Sequence, residues 1–416
     1  MNEPVYILGG SQTDFATNWS RQDLSLFDLF TDAVLGALDD SGLDANDIEV
    51  GHVGNFVAEL FTGQGMLGGY FGHVHADFAG MPASRHEGAC ASGSLAAMAA
   101  MADIQSGRYG IACVAGVEYM RNVKGIEAGQ HLGAAVWVGK EATDADYIWP
   151  RMFSDLAVEY DRRYGLDHQH LMGIAEMNFA NAKRNPNAQT RTWDFGADSF
   201  TDDDEANPVV DGWMRRQDCS QITDGAAVVI LASQERAAEY ATARGIDIDS
   251  IPKIDGWGHT TAPMLLETKL AQSANDPYVF PWVRKAITDA YARAGISGPE
   301  QLDAIETHDC FTINEYMAID HFGITAPGEA WKAIEDGRIA PDGDIPINVS
   351  GGLMGVGHPV GATGVRMLLD SAKQVSGKAG DYQVNGAKRV ATYNVGGSAT
   401  TNCSFIVSTI PAGAAS

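Results

Sequence analysis

Cys90 stands in the stretch EGACASGS (87–94), followed by Ala91, Ser92, Gly93 and Ser94, side chains of almost no size. A run that reads as helix then continues to about Gly107. Free cysteine is usually a small buried hydrophobe. At the foot of a helix it has a second use, because the terminal N–H groups lower a thiol's pKa and receive an anion beside it. His358 opens a matching stretch, HPVGATGVRMLLDSAKQVSG, which reads as a helix ending near Gly377. Pro359 suits a helix start, where its missing N–H is not needed. Gly357, Gly361 and Gly364 keep side chains out of a cleft and let the helix pack closely. A thiol and an imidazole, each at a helix start, are the parts of a nucleophile and its base.

The elements that must position these two residues form a degenerate repeat. AVLGALDDSGLDANDIEVGHVG (33–54) aligns with AITDAYARAGISGPEQLDAIETHD (286–309), matching Ala33 to Ala286, Ala37 to Ala290 and Gly42 to Gly295. Each copy reads as an amphipathic helix, a glycine C-cap and a strand. The Cys90 helix precedes the apolar strand YGIACVAGVEYM (109–120), and the His358 helix precedes KRVATYNVGGS (388–398). A spacing this long is no solenoid period, and a duplicated α/β domain is the simpler reading. Residues 1–120 are then a first half and residues 251–416 a second. Residues 121–250 are a Trp- and Asn-rich loop domain, with helices over 152–164 and 168–184, that returns to the first half.

The chain has 416 residues, two to three domains' worth at ~100–200 each, with 45% apolar and 20% charged residues. Lys and Arg total 28 against 54 for Asp and Glu, a net charge of −26. That balance excludes nucleic acid as a partner. The acidic run TDDDEANP (201–208) reads as a solvated loop, not a metal site. Five cysteines (90, 113, 219, 310 and 403) with no CxxC pair predict neither disulfides nor zinc, and hence a reducing cytoplasm. MNEPVYILGG lacks the basic and apolar segments of a signal peptide, and the chain has no apolar run of about 18 residues to span a membrane.

Four stretches in order, ACASG (89–93), HDCFTINE (308–315), GHPVGATG (357–364) and NVGG (394–397), make the sequence resemble the thiolase family. HDCF makes it most similar to the sterol carrier protein 2 (SCP2) type branch. GVEYM (116–120), NFANAKRNPNAQ (178–189) and DCSQITDGAAVVILAS (218–233) also resemble thiolase segments at the expected spacing. The resemblance implies a five-layer α-β-α-β-α fold of two similar halves with an inserted loop domain. It implies reversible Claisen chemistry on CoA thioesters, with CoA and acyl-CoA as substrates and no metal or resident cofactor. Cys90 is the residue to be acylated, which suits a thiolate that attacks carbonyls well and stores the acyl group as a thioester. His358 activates it, and the N–H groups of Cys90 and Gly396 form an oxyanion hole. His308, where many thiolases carry asparagine, joins His358 in holding the thioester oxygen. Asn394 falls where a second catalytic cysteine is usual, and Cys310 supplies the acid/base thiol instead.

Three weaker assignments follow from the same resemblance. Glu315 either orients an imidazole or makes a simple surface or core pair. His259 either lines a pantetheine channel or sits in a plain loop. GQGMLGG (63–69) approaches the active site of a second copy, in a homodimer or homotetramer. A ketoacyl synthase-like enzyme shares the duplicated fold but lacks the second cysteine. A non-catalytic acyl or lipid carrier, or a scaffold beside a small accessory protein, is the alternative outside enzymes.

Overall fold

The two aligned segments occupy equivalent places in the computed structural model, which describes residues 3–411. In the first, Ser25 and Asp28 form a capping box and the helix Leu26–Ser41 buries Leu29, Phe30, Ala33 and Ala37 before Gly42 ends it at φ 61°. In the second, Pro281 opens the helix Pro281–Ala294, which buries Val283, Ala286, Ile287 and Ala290 before Gly295 ends it at φ 71°.

The strands are β1 (Val5–Gln12), β2 (Val50–Gly54), β3 (Ala83–His86), β4 (Ile111–Glu118), β5 (Val209–Asp211), β6 (Met214–Arg215), β7 (Gly225–Ala232), β8 (Lys253–Thr261), β9 (Ala304–Thr307), β10 (Arg389–Gly396) and β11 (Thr401–Ser408). β5 and β6 make a separate two-stranded ribbon. The other nine form one sheet in the order β3-β2-β4-β7-β1-β8-β11-β10-β9. Outward from the β1/β8 seam, both halves read alike. β1 pairs antiparallel with β7, β7 antiparallel with β4, and β4 parallel with β2. β8, β11, β10 and β9 repeat that pattern. The seam itself is two residue pairs, Val5 with Ile254 and Tyr6 with Lys253.

The helices Ser92–Gln105 and Val360–Ser376 lie between the half-sheets. Their Ala96, Ala97, Ala100, Val365, Leu368 and Leu369 share one core with Val114 and Val229 of the first half and Val390 and Phe405 of the second. The helix Leu26–Ser41 covers the outer face of the first half, and Pro281–Ala294 covers the outer face of the second. The layers are therefore α-β-α-β-α. Buried between the two half-sheets, Val360–Ser376 has nearly every residue out of water.

The connecting region carries the helices Ile148–Tyr164 and His168–Ala182. The first starts four residues before the expected position 152, because Pro150 is tolerated in a first turn. Of the acidic run, Asp202 and Asp204 pair with Arg215 at the surface. Among the described residues no helix is long and apolar enough to cross a membrane.

Candidate active site

Close packing of glycine on glycine brings the two helix starts together. A Cβ on Gly93 would lie 2.7 Å from the carbonyl oxygen of Gly361, and one on Gly361 would lie 2.6 Å from that of Val117. No other residue type allows this approach. Cys90 sits just before its helix, in the single 3-10 turn Ala89–Ala91, with Ala89 held at φ 50°. Ser92 fixes that turn, accepting from the Gly88 N–H and donating to the Ala89 carbonyl.

The Sγ of Cys90 and one ring nitrogen each of His308 and His358 all lie within 4.8 Å of one another. The two imidazoles meet edge to face, with centroids 5.1 Å apart. Their hydrogen-bond partners assign their tautomers. Thr363 donates its hydroxyl proton to the Pro359 carbonyl, so its lone pair faces His358 Nδ1 at 2.8 Å and Nδ1 carries the proton. His358 Nε2, buried and unpartnered, is then a free base. His308 is the opposite case. Its Nδ1 receives the Val395 N–H and the Asn394 amide at 3.0 Å, so the buried, unpartnered Nε2 carries the proton. The amide orientation of Asn394 is consistent, since its Oδ1 accepts from Ser94 while its Nδ2 also reaches the Cys90 carbonyl. One histidine accepts a proton and the other offers one.

The same assignment bears on metals. Cys, His and His at these distances resemble a zinc set, but with the Val395 N–H on Nδ1, His308 keeps its proton on Nε2 and has no lone pair there for an ion. The residues do not fit a bound metal.

Burial fixes the resting charges. It pushes the Cys90 thiol up to about 12, with Glu118 adding to the shift and the N–H groups of Cys90 and Gly397 opposing it. Burial, then Arg366, brings His358 down to about 3. His308 is held well below its usual value by burial, then by His358 and Arg366. The resting pair is therefore a neutral thiol beside a neutral imidazole. The expectation of a lowered Cys90 pKa is corrected here, since desolvation outweighs a helix terminus that starts two residues later.

Other expected residues fall in different places. Cys310 lines the same cavity as Cys90 and His358, and burial, then Cys90, raises its thiol pKa. Gly397, at φ 64°, lines the cavity with Cys90, and its N–H opposes the rise of the thiol's pKa. Gly396 lies in β10, where a Cβ would meet the Gly88 carbonyl at 2.0 Å. Glu315 touches no imidazole. Fully buried, it accepts from Asn178 at 2.6 Å and Asn348 at 2.7 Å. His259 lies exposed on β8, not in a plain loop, and is not among the residues of the cavity wall.

The cavity has a volume of about 590 Å³. Its wall is mostly apolar, with Phe56, Met120, Leu132, Trp149, Phe153 and Phe311 alongside Cys90, Cys219, Cys310 and His358. Sequence reasoning missed Thr363, Glu118 and Gly397. Thr363 was visible as the hydroxyl inside GHPVGATG. Glu118, a carboxyl ending an otherwise apolar strand, accepts from the N–H groups of Phe56, Val57 and Gly361 and so ties the His358 helix to β4.

The profile of the family described as "Thiolase, N-terminal domain" matches residues 5–194, and that of "Thiolase C-terminal domain-like" matches residues 265–409. The chain is 33% identical to an acetyl-CoA acetyltransferase of Methanothermobacter thermautotrophicus over 97% of its own length and 99% of the relative's. It is 27% identical to sterol carrier protein 2 of Homo sapiens, over 94% of this chain and 70% of that protein. Among solved structures, an Ltp2-ChsH2(DUF35) aldolase superposes with a TM-score of 0.76 at 20% identity, covering 98% of each chain. An acetyl-CoA acetyltransferase from Syntrophomonas wolfei gives a TM-score of 0.70 at 16% identity, over 99% of this chain and 100% of that one. At such identities the structures speak for the fold alone.

Proposed function

This chain belongs to the thiolase family, and we propose that it catalyses CoA-dependent cleavage of a 3-ketoacyl-CoA, and the reverse condensation, through an acyl-Cys90 intermediate. The observation that carries this reading is the complementary pair of free Nε2 atoms, one basic and one protonated, beside the Cys90 thiol.

In the cleavage direction His358 Nε2 takes the Cys90 proton as the thiolate attacks the 3-keto carbon. The N–H groups of Cys90 and Gly397 receive the resulting alkoxide. Its collapse breaks the C2–C3 bond and sends the electron pair into the thioester as an enolate. The enolate oxygen is met by His308 Nε2–H and by the newly protonated His358. Cys310, a buried thiol that holds its proton, protonates C2, and the shorter acyl-CoA leaves. Incoming CoA returns a proton to the Cys310 thiolate and attacks the acyl-cysteine, and Cys90 reclaims its proton from His358. Every proton is returned, so the site needs no cofactor beyond the substrates.

The homodimer or homotetramer expected from the family is part of this reading, with the 63–69 stretch, where Met66 is exposed, approaching the second copy. The activity is tested by incubating the protein with acetoacetyl-CoA, and separately with a bulky 3-ketoacyl-CoA, in the presence of CoA. Consumption of either, with an acyl adduct on Cys90 by intact-protein mass spectrometry, is expected. A carrier or scaffold consumes nothing, and turnover retained in Cys90→Ala overturns the reading.

A further inference from the structure

Lys269 is fully buried in the helix Leu266–Gln272, a costly place for an ammonium group. No carboxylate lies within ion-pair distance of its Nζ among the described residues. It bonds the Ser398 carbonyl at 2.7 Å, the Ser398 hydroxyl at 2.7 Å and the Thr400 hydroxyl at 2.8 Å. All three partners belong to the short loop 397–400 joining β10 to β11. That loop is conformationally expensive. Gly397 takes φ 64° without penalty, but Ala399 at φ 62° sets its Cβ against the backbone, an arrangement that L-residues avoid. Asn402 and the Ala262 N–H also hold the loop, through the Ala399 and Thr400 carbonyls. The loop begins with Gly397, which lines the cavity alongside Cys90 and whose N–H opposes the rise of that thiol's pKa.

We propose that Lys269 is a positioning residue, clamping the Ser398–Thr400 loop so that the Gly397 N–H stays aimed at Cys90 and at the oxyanion formed there. The proposal rests on the acyl-cysteine reading above. Lys269 acts through Gly397 and touches no reacting atom. Burial pulls its pKa down to about 7, yet either form keeps the clamp. The ammonium donates to all three oxygens, and the neutral amine donates two hydrogens and accepts from one of the hydroxyls. The helix is also tied to the segment leading to the cavity, because Glu141 accepts from the Leu266 N–H at 2.8 Å and from the Trp137 N–H at 2.9 Å.

The test compares wild type with Lys269→Met, which keeps the bulk and loses the donors, and Lys269→Gln, which keeps an amide. Acyl-adduct formation on Cys90, acyl-CoA affinity and alkylation of Cys90 by iodoacetamide across pH are measured on each. In Lys269→Met, acylation is expected to slow by about 10²-fold, as a misplaced group does. Its affinity for acyl-CoA should stay unchanged and its alkylation profile should move to higher pH. Lys269→Gln should fall between. If Lys269→Met does not fold, Lys269→Gln decides by the same readouts. Wild-type acylation and alkylation per folded molecule in the variants, even with a lower melting temperature, overturn the proposal. Failure of wild type to form any adduct removes the acyl-cysteine reading instead, and an unshifted alkylation profile in that case overturns the clamp as well.

Discussion

At the scale of single residues the site is assembled from neutral groups. A thiol pushed up to about 12 and an imidazole brought down to about 3 cannot form a resting ion pair. On the proposed reading the thiolate arises only when substrate supplies a place for charge, which would keep Cys90 protected from stray electrophiles between turnovers. The prediction is a pH profile. The rate of Cys90 alkylation by iodoacetamide should climb steadily from pH 6 to pH 9, because the thiolate fraction is small throughout. A plateau beginning below pH 7 would mean a preformed thiolate and contradict the buried, neutral arrangement. Thr363 and Asn394 matter at this scale as well, since one fixes the proton on His358 Nδ1 and the other helps hold it off His308 Nδ1.

At the scale of elements, Arg216 and the residues from Cys219 to Ile222 line the cavity, and Asp218 between them anchors the segment. His168, at the start of the helix His168–Ala182, holds Asp202 through Nδ1 and Asp218 through Nε2, each at 2.8 Å. Burial disfavours the charged ring, but the bonds to Asp218 and Asp202 outweigh it and raise its pKa. A histidine with a raised folded pKa stabilises fully below the unfolded value of about 6.5, and that stabilisation is lost as pH rises through the folded value. Amide exchange in residues 201–218, corrected for intrinsic rates, should therefore be slowest below pH 6.5 and quicken above it. His168→Gln should abolish the step, and a pH-independent protection in wild type would sink the idea. The elements themselves were largely legible in the sequence. Helices ending in Gly42, Gly295 and Gly377 announce themselves by apolar period and glycine cap, and so does the duplication they imply. Three local features were not. The turn carrying Cys90 depends on a positive φ at Ala89, which alanine does not advertise. The place of Gly397 on the cavity wall depends on how a four-residue loop is folded. The partners of Glu315, Asn178 and Asn348, lie far off in the chain, and nothing local marks them.

At the scale of the whole molecule, two half-sheets enclose two helices that meet through glycines. Gly93→Ala sets a methyl 2.7 Å from the Gly361 carbonyl and 3.1 Å from the Val365 side chain, and backbone on both sides leaves no cheap relief. Overpacking of this kind costs about 1–3 kcal/mol. The apparent melting temperature should fall by several degrees, and Cys90 acylation should fall further, because the same contact sets the distance to His358. An unchanged melting temperature with full activity would show that the central layer is not tightly fixed. The seam between the halves has one more consequence, in the order of synthesis. β1 and β8 share only two residue pairs, and Cys90 belongs to one half while His308, Cys310, His358 and Gly397 belong to the other. A ribosome releases Cys90 long before it makes His308, Cys310, His358 or the loop 397–400. On the nascent chain Cys90 is an ordinary thiol with nothing to activate it. On the proposed reading the acyl-transfer site is complete only after the second half has emerged and closed on the first, so a truncated or half-folded product cannot carry the reaction through.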